Sequence, residues 1–220
     1  MSRSLFITGT DTGVGKTHVT AAILRELRRR GWRAAAFKPI ACGPGGRKDA
    51  RIYRRLMSDE ISLDMVNPIC LRHSLAPRVA AALERRRLDL RLVGRCYQRL
   101  ADEYDLVLVE GAGGLLVPVR RGYFMADLAR ELNLPLIIVS RLSLGTINHT
   151  LLTVRQAQGA GLRIAGVILN DTLGRRGLAE RTNISVLPRL TRVPLLGVVE
   201  HGARPDVSSV VRRLLQQRGE

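Results

Sequence analysis

The sequence predicts an α/β fold, doubly wound about a mainly parallel sheet and contained in a single domain of 220 residues. Three observations carry that prediction. Short apolar runs alternate with longer segments of helical period, which is the pattern of successive βα units. Residues 5–17, LFITGTDTGVGKT, read as a buried strand, a glycine-bearing turn and the start of a helix. The conspicuous polar residues follow strands, at the carboxyl edge where open sheets of this kind bind ligands.

Taken in order, Leu5, Phe6 and Ile7 form the first strand. A helix over residues 16–30 follows, with Val19, Ala22, Ile23 and Leu27 as its apolar stripe and Gly31 as its stop. Residues 34–38, AAAFK, make a second strand whose small side chains suit cover on both faces, and Pro39 closes it. Residues 40–46 are a loop by composition. A helical segment spans 49–57, and residues 58–75 show no clear period. Helices are expected over 76–87 and 90–104, the latter capped by Asp89. The run LVLV at 106–109 is a buried strand ending in Glu110 and three glycines among the next four residues. Residues 115–119 are extended, 125–132 a short helix and 136–140 a strand. A helix opens at Gly145 and runs to about residue 160, and a strand at 164–169 ends in Asn170 and Asp171. Residues 172–190 are weakly patterned loop and helix, 195–199 the last strand and 207–217 a terminal amphipathic helix.

The stretch 9–17 is P-loop NTPase-like. Loop N–H groups and the free N–H groups of the helix start point at one place and make an anion site. Gly13 and Gly15 let the backbone approach a phosphate, Lys16 can reach the terminal phosphates and the Thr17 hydroxyl can ligate Mg²⁺; the plainer reading is an ordinary glycine-containing turn before a helix. The consensus spacing would put glycine at Thr10; here it falls one residue earlier, at Gly9. Glu110 follows an apolar strand as a metal-binding carboxylate does in such proteins; the plainer reading is a strand-end carboxylate facing water. Asp49 reads equally as a metal ligand or as the N-cap of its helix. Lys38, at a strand end, is either a snorkelling terminus or a second positive charge for transfer of the γ-phosphoryl.

Composition narrows the classes. The formal charge is +17, yet the arginines are spread at helix-surface spacing and only 4% of residues are aromatic, so no nucleic-acid platform is visible. Only three of the 36 basic residues are lysine, and two of them, Lys16 and Lys38, occupy the positions singled out above. The third, Lys48, is assigned no role. There is no apolar run of transmembrane length, and no signal segment is expected. Cys42, Cys70 and Cys96 lack the spacing of a disulfide framework or zinc site and fit a reducing cytosol.

Taken together, GTDTGVGKT at 9–17, KPIACG at 38–43, VEGAGG at 109–114, LGTINH at 144–149 and Asn170-Asp171 resemble the ordered motifs of the dethiobiotin synthetase family. The resemblance runs from end to end. It implies one ATP-dependent cyclo-ligase domain over residues 1–220, in a cytoplasmic homodimer that binds neither nucleic acid nor membrane. The implied reaction joins CO₂ to 7,8-diaminononanoate with MgATP, through a carbamate and a carbamic-phosphoric anhydride. It further implies that Thr12, Gly13, Val14, Gly15, Lys16 and Thr17 hold the phosphates, and that Lys16 and Lys38 stabilise the carbamate and the transferring group. Thr17, Asp49 and Glu110 would hold Mg²⁺. Cys42 and the loop Glu110, Gly111, Ala112, Gly113 would face the diamine and Asn170 the adenine, with that loop, Asp49 and Asp171 also among the ATP-binding residues. Gly145, Thr146, Ile147 and Asn148 would bind the substrate carboxylate of the partner subunit. The family pattern has a hydroxyl residue where Cys42 stands, a longer loop between Lys38 and Asp49, and proline near Glu200.

Two other readings share the phosphate loop. A partition-type ATPase acting on DNA or membrane would carry a second lysine where Asp11 stands. Another P-loop cyclo-ligase would have no reason for the 38–43 and 145–149 runs together.

Overall fold

A computed structural model describes residues 4–174, 177–202 and 205–216. The elements are β1 Leu5–Gly9, α1 Lys16–Arg29, β2 Ala34–Phe37, β3 Ile40–Cys42, α2 Lys48–Leu56, α3 Leu63–Val66 and β4 Ile69–Leu71. Then come α4 Pro77–Leu83, α5 Leu90–Glu103, β5 Leu106–Glu110, β6 Pro118–Arg120, β7 Tyr123–Phe124, α6 Met125–Glu131 and β8 Leu136–Arg141. The chain continues with α7 Thr146–Gly159, β9 Ile164–Asn170, α8 Leu178–Thr191, β10 Leu195–Val199 and α9 Ser208–Gln216.

Six strands form one parallel sheet in the order β10-β9-β8-β1-β5-β2. β1 lies inside it, between β5 and β8. Every residue of β1, β2 and β5 is buried, which is why their sequences are continuous apolar or small runs rather than alternating ones. The two faces separate within β8. Ile137 and Val139 join the larger core cluster, whereas Ile138 points the other way, into a second cluster with Leu142, Val154, Val167, Leu169, Leu187 and Val193. Helices therefore cover both faces, as the sequence pattern requires.

Several short elements differ from the sequence expectation. Residues 40–46 are not all loop: Ile40, Ala41 and Cys42 pair in parallel with Ile69, Cys70 and Leu71. The segment 58–75, without period, contains α3, capped by Ser62 accepting from Met65 N at 3.2 Å, as well as β4. The helix expected over 76–87 stops at Leu83, because Arg85 turns left-handed at φ 50 and Glu84 turns back to accept from Arg72 N and His73 N. Of residues 115–119, expected extended, 115–116 form a turn closed by Val117 N donating to the Gly114 carbonyl, and 118–119 belong to β6 of the β6–β7 hairpin. α8 is a full helix within the weakly patterned 172–190 segment, of which residues 175–176 lie outside the described residues. So does Gln217, the expected end of the last helix. Asp89 caps α5 as expected, accepting from Leu92 N at 3.0 Å.

Candidate active site

The loop between β1 and α1 owes its shape to close approach. Gly13 and Gly15 lie at φ 75 and 88, where side chains with a Cβ are strained. Gly15 is the N-cap of α1 and supplies no capping side chain, so the first helical N–H groups stay available. A Cβ on Gly9 would stand 2.8 Å from Val14 Cγ2 and 2.9 Å from the Asp11 carbonyl oxygen. This is the physical reason for glycine at 9 in a loop whose consensus position is Thr10.

Lys16 is buried and donates to the Asp11 carbonyl at 3.2 Å. Burial, helped by the charge of Lys38 and opposed by that of Glu110, lowers its pKa to about 8. Glu110, the last residue of β5, is 1% exposed and is the centre of the polar cluster. Its Oε1 accepts from Thr17 Oγ1 at 3.0 Å and from Lys38 Nζ at 2.5 Å, and its Oε2 accepts from the Tyr53 hydroxyl. Asp49 Oδ2 lies 3.4 Å from the same Lys38 ammonium. Burial alone would lower the Lys38 pKa. The charges of Glu110 and Asp49 more than offset it and hold the group above its ordinary value. Asp49 is inside the first turn of α2, and no side chain caps that helix. The N-cap reading of Asp49 is thereby corrected: its carboxylate reaches Lys38 instead.

These groups open on a cavity of about 770 Å³ at the carboxyl edge of the sheet. Its polar lining includes Thr12, Lys16, Thr17, Lys38, Asp49, Ser74 and Glu110 with the backbone of Gly13 and Gly15. Its apolar lining includes Ile40, Ala41, Cys42, Leu75, Pro77, Ala112 and Val117, with Gly113 beside them. Burial pushes the Cys42 thiol up to about 11, so it meets the cavity as a neutral group. Lys48, given no role from the sequence, also lines it. A larger cavity, about 1210 Å³, opens at the opposite edge beside Trp32, Tyr104 and Arg163 and contains none of the motif residues.

Other expected site residues lie outside the cavity lining. Val14 is buried beneath the loop. Gly111 donates to the Ile7 carbonyl, and a Cβ there would stand 2.8 Å from the Phe6 ring. Asn170 Nδ2 donates to the Val14 carbonyl at 2.9 Å and so braces the phosphate loop, while its buried Oδ1 has no hydrogen-bond partner. Asp171 Oδ1 accepts from Leu173 N and Gly174 N. Gly145, at φ 91, caps α7. Thr146 is buried with its hydroxyl 2.7 Å from Ser140 Oγ, Ile147 packs on the second core cluster and Asn148 is exposed. Sequence reasoning missed Tyr53. Its only signal was the four-residue spacing from Asp49, which puts both on one face of α2.

Among the described residues no group of three or more His, Cys, Asp or Glu gathers as a transition-metal site would. Two carboxylates and a hydroxyl are a different donor set. Hard oxygen ligands beside a phosphate loop fit Mg²⁺, which keeps waters and phosphates in its shell. Both carboxylates converge on the Lys38 ammonium.

A parallel sheet, a glycine-shaped loop opening a helix, a buried loop lysine and a facing carboxylate define a P-loop nucleotide-binding protein. The AAA domain family matches residues 3–207. The ATP-dependent dethiobiotin synthetase of Akkermansia muciniphila is 40% identical, over 91% of this chain and 93% of that protein. That of Methanocaldococcus jannaschii is 36% identical, over 96% of this chain and all of its own length. The chain belongs to the ATP-dependent dethiobiotin synthetase family. The fold is also that of a plasmid partition protein from Borrelia burgdorferi, with a TM-score of 0.62 at 16% identity over 98% of this chain and 99% of that one. The cell division protein MinD of Aquifex aeolicus gives 0.55 at 15% identity over 99% and 97%.

Proposed function

We propose that this protein closes the ureido ring of dethiobiotin from 7,8-diaminononanoate and CO₂, converting ATP to ADP and phosphate, as a step of biotin biosynthesis. The observation that carries the reading is the meeting of Lys16, Thr17, Lys38 and Glu110 in one cavity that Ile40, Ala41, Leu75, Pro77 and Val117 also line. The polar residues suit a triphosphate and the reacting amines; the apolar ones suit an alkyl chain.

One amine adds to CO₂ and loses a proton, giving a carbamate. A carbamate oxygen attacks the γ-phosphorus, and ADP leaves. The second amine then attacks the anhydride carbon, phosphate leaves, and a proton is lost as the ring closes. Lys38, held charged by its two carboxylates, stabilises the carbamate and the transferring phosphoryl. Lys16 turns from the Asp11 carbonyl to the terminal phosphates. Thr12 to Thr17 hold the phosphates through backbone N–H groups. Thr17, Asp49 and Glu110 would hold Mg²⁺, which would supply charge neutralisation at the phosphates. Cys42, Ala112 and Gly113 lie along the diamine, with Gly111 fixing the turn beneath them. The unpartnered Oδ1 of Asn170 accepts from the adenine amino group, beside the turn made by Asp171. Gly145, Thr146, Ile147 and Asn148, which are not in the lining of this cavity, serve the substrate carboxylate in the site of a second copy. The working unit is a homodimer, and it acts in the cytoplasm. It engages small molecules, not nucleic acid or membrane.

Mass spectrometry of reactions holding protein, MgATP, bicarbonate and the diamine, each omitted in turn, tests the proposal. A product heavier than the diamine by CO less two hydrogens, dependent on all four, is expected. ATP loss without that product would refute it.

A further inference from the structure

Glu110 is nearly inaccessible, and its two oxygens are treated differently. Oε1 faces the cavity side, where Thr17 and Lys38 donate to it. Oε2 faces inward and accepts from the Tyr53 hydroxyl. Tyr53 is fully buried and among the largest side chains of the core, so its ring cannot drift. It lies on α2 four residues after Asp49, whose carboxylate reaches Lys38 from the same helix. One helix thus delivers both the second carboxylate and the hydroxyl that holds the first. Without that hydroxyl, Oε2 would be a buried charged oxygen with no donor, and the carboxylate would turn to share Lys38 and Thr17 between its oxygens.

We propose that Tyr53 is a positioning residue of the metal–nucleotide site: by occupying Oε2 it leaves Oε1 as the single Glu110 oxygen presented to the cation beside Thr17. Tyr53 touches neither the cavity nor the reacting atoms and acts only through Glu110. The inference rests on the reading of Glu110 as a Mg²⁺ ligand.

Tyr53→Phe keeps the ring and deletes the hydroxyl. ATP binding by the full-length protein is measured by calorimetry in EDTA and again in Mg²⁺, with the melting temperature recorded alongside. Metal-free ATP binding should stay within about twofold of wild type. The Mg²⁺-dependent gain in ATP affinity should fall by about tenfold or more, the usual size for loss of a partner that orients a metal ligand. A merely structural tyrosine would lower the melting temperature and leave the Mg²⁺ gain unchanged. A gain within about twofold of wild type in folded protein therefore overturns the proposal. If the Phe variant does not fold, Tyr53→Met carries the same comparison. Glu110→Gln separates the two layers. Loss of the Mg²⁺ gain in that variant, with no further loss on adding Tyr53→Phe, supports action through Glu110. Retention of the gain in Glu110→Gln refutes the metal reading itself. Loss in Glu110→Gln with an unaltered Tyr53→Phe refutes only the role of Tyr53.

Discussion

Replacing Lys38 by methionine removes the ammonium and keeps most of the side-chain volume. Lys38 Nζ stands 2.5 Å from Glu110 Oε1 and 3.4 Å from Asp49 Oδ2, at a residue only 6% exposed. Its loss leaves Glu110 buried with one cation fewer. Breaking a buried pair from one side costs about 3–5 kcal/mol. Asp49 keeps contact with water, so the low end, about 3 kcal/mol, applies here. For a chain of this size that is a drop of roughly 6–12 °C in melting temperature. Turnover should fall more sharply, on the order of 10²-fold or more, because a preorganised charge at the transferring group is gone. Differential scanning fluorimetry reads the first effect and mass spectrometric product formation the second. A variant that melts within about 2 °C of wild type and turns over within a few-fold would refute both the ion-pair reasoning and the catalytic role.

Other expectations follow from the same geometry. Lys16 titrates near pH 8 in the free protein, below the ordinary lysine value, and phosphate contact favours its charged form. Below that pH the ammonium is already present, so ATP affinity is flat with respect to this group. Above it, binding takes up a proton and affinity falls with rising pH, which calorimetry at pH 9 in buffers of different ionisation heat detects; zero proton uptake there would contradict the burial of Lys16. Gly15→Ala puts a Cβ 2.1 Å from Asn170 Nδ2 at φ 88, and left-handed strain alone costs about 1–2 kcal/mol. ATP affinity should therefore drop by about tenfold or more, and unchanged binding by calorimetry would count against the loop conformation. Cys42→Ser swaps a neutral thiol for a hydroxyl on the cavity wall and should keep product formation within a few-fold. Abolished activity would show that this wall is not where the diamine lies.

The sheet was legible because its strands carry their environment in their composition. β1, β5 and β8 are buried on both faces and read as unbroken apolar runs. The phosphate loop was equally plain, since its glycines and Lys16 answer to backbone conformation and charge. β3 and β4 were not, because three residues are too few to show a period of two, and their pairing joins segments 29 residues apart (Ile40 with Ile69). The premature end of α4 depends on Glu84 turning back to Arg72 and His73, a tertiary choice that leaves the helical pattern intact. In the site, Lys16, Lys38, Asp49 and Glu110, singled out by type and position, line one cavity, but their mutual contacts were not readable and Asp171 lies outside it. Asp49 could be an N-cap or a partner until α2 was placed against Lys38. Asn170 was expected to face only the nucleotide, yet one end of its amide braces the loop. Tyr53 looked like any aromatic on an amphipathic helix, because its hydrogen bond is made across the core.

In the proposed reaction the cluster of Lys16, Thr17, Lys38 and Glu110 transfers the γ-phosphoryl to an oxygen that came from CO₂. A single-turnover reaction with C¹⁸O₂, mixed rapidly with protein, MgATP and diamine in unlabelled water, tests it directly. Mass spectrometry should find one ¹⁸O in the released phosphate and one in the ring carbonyl of the product. Phosphate without label, released alongside ADP, would mean that water rather than a carbamate takes the phosphoryl group, and would contradict the account.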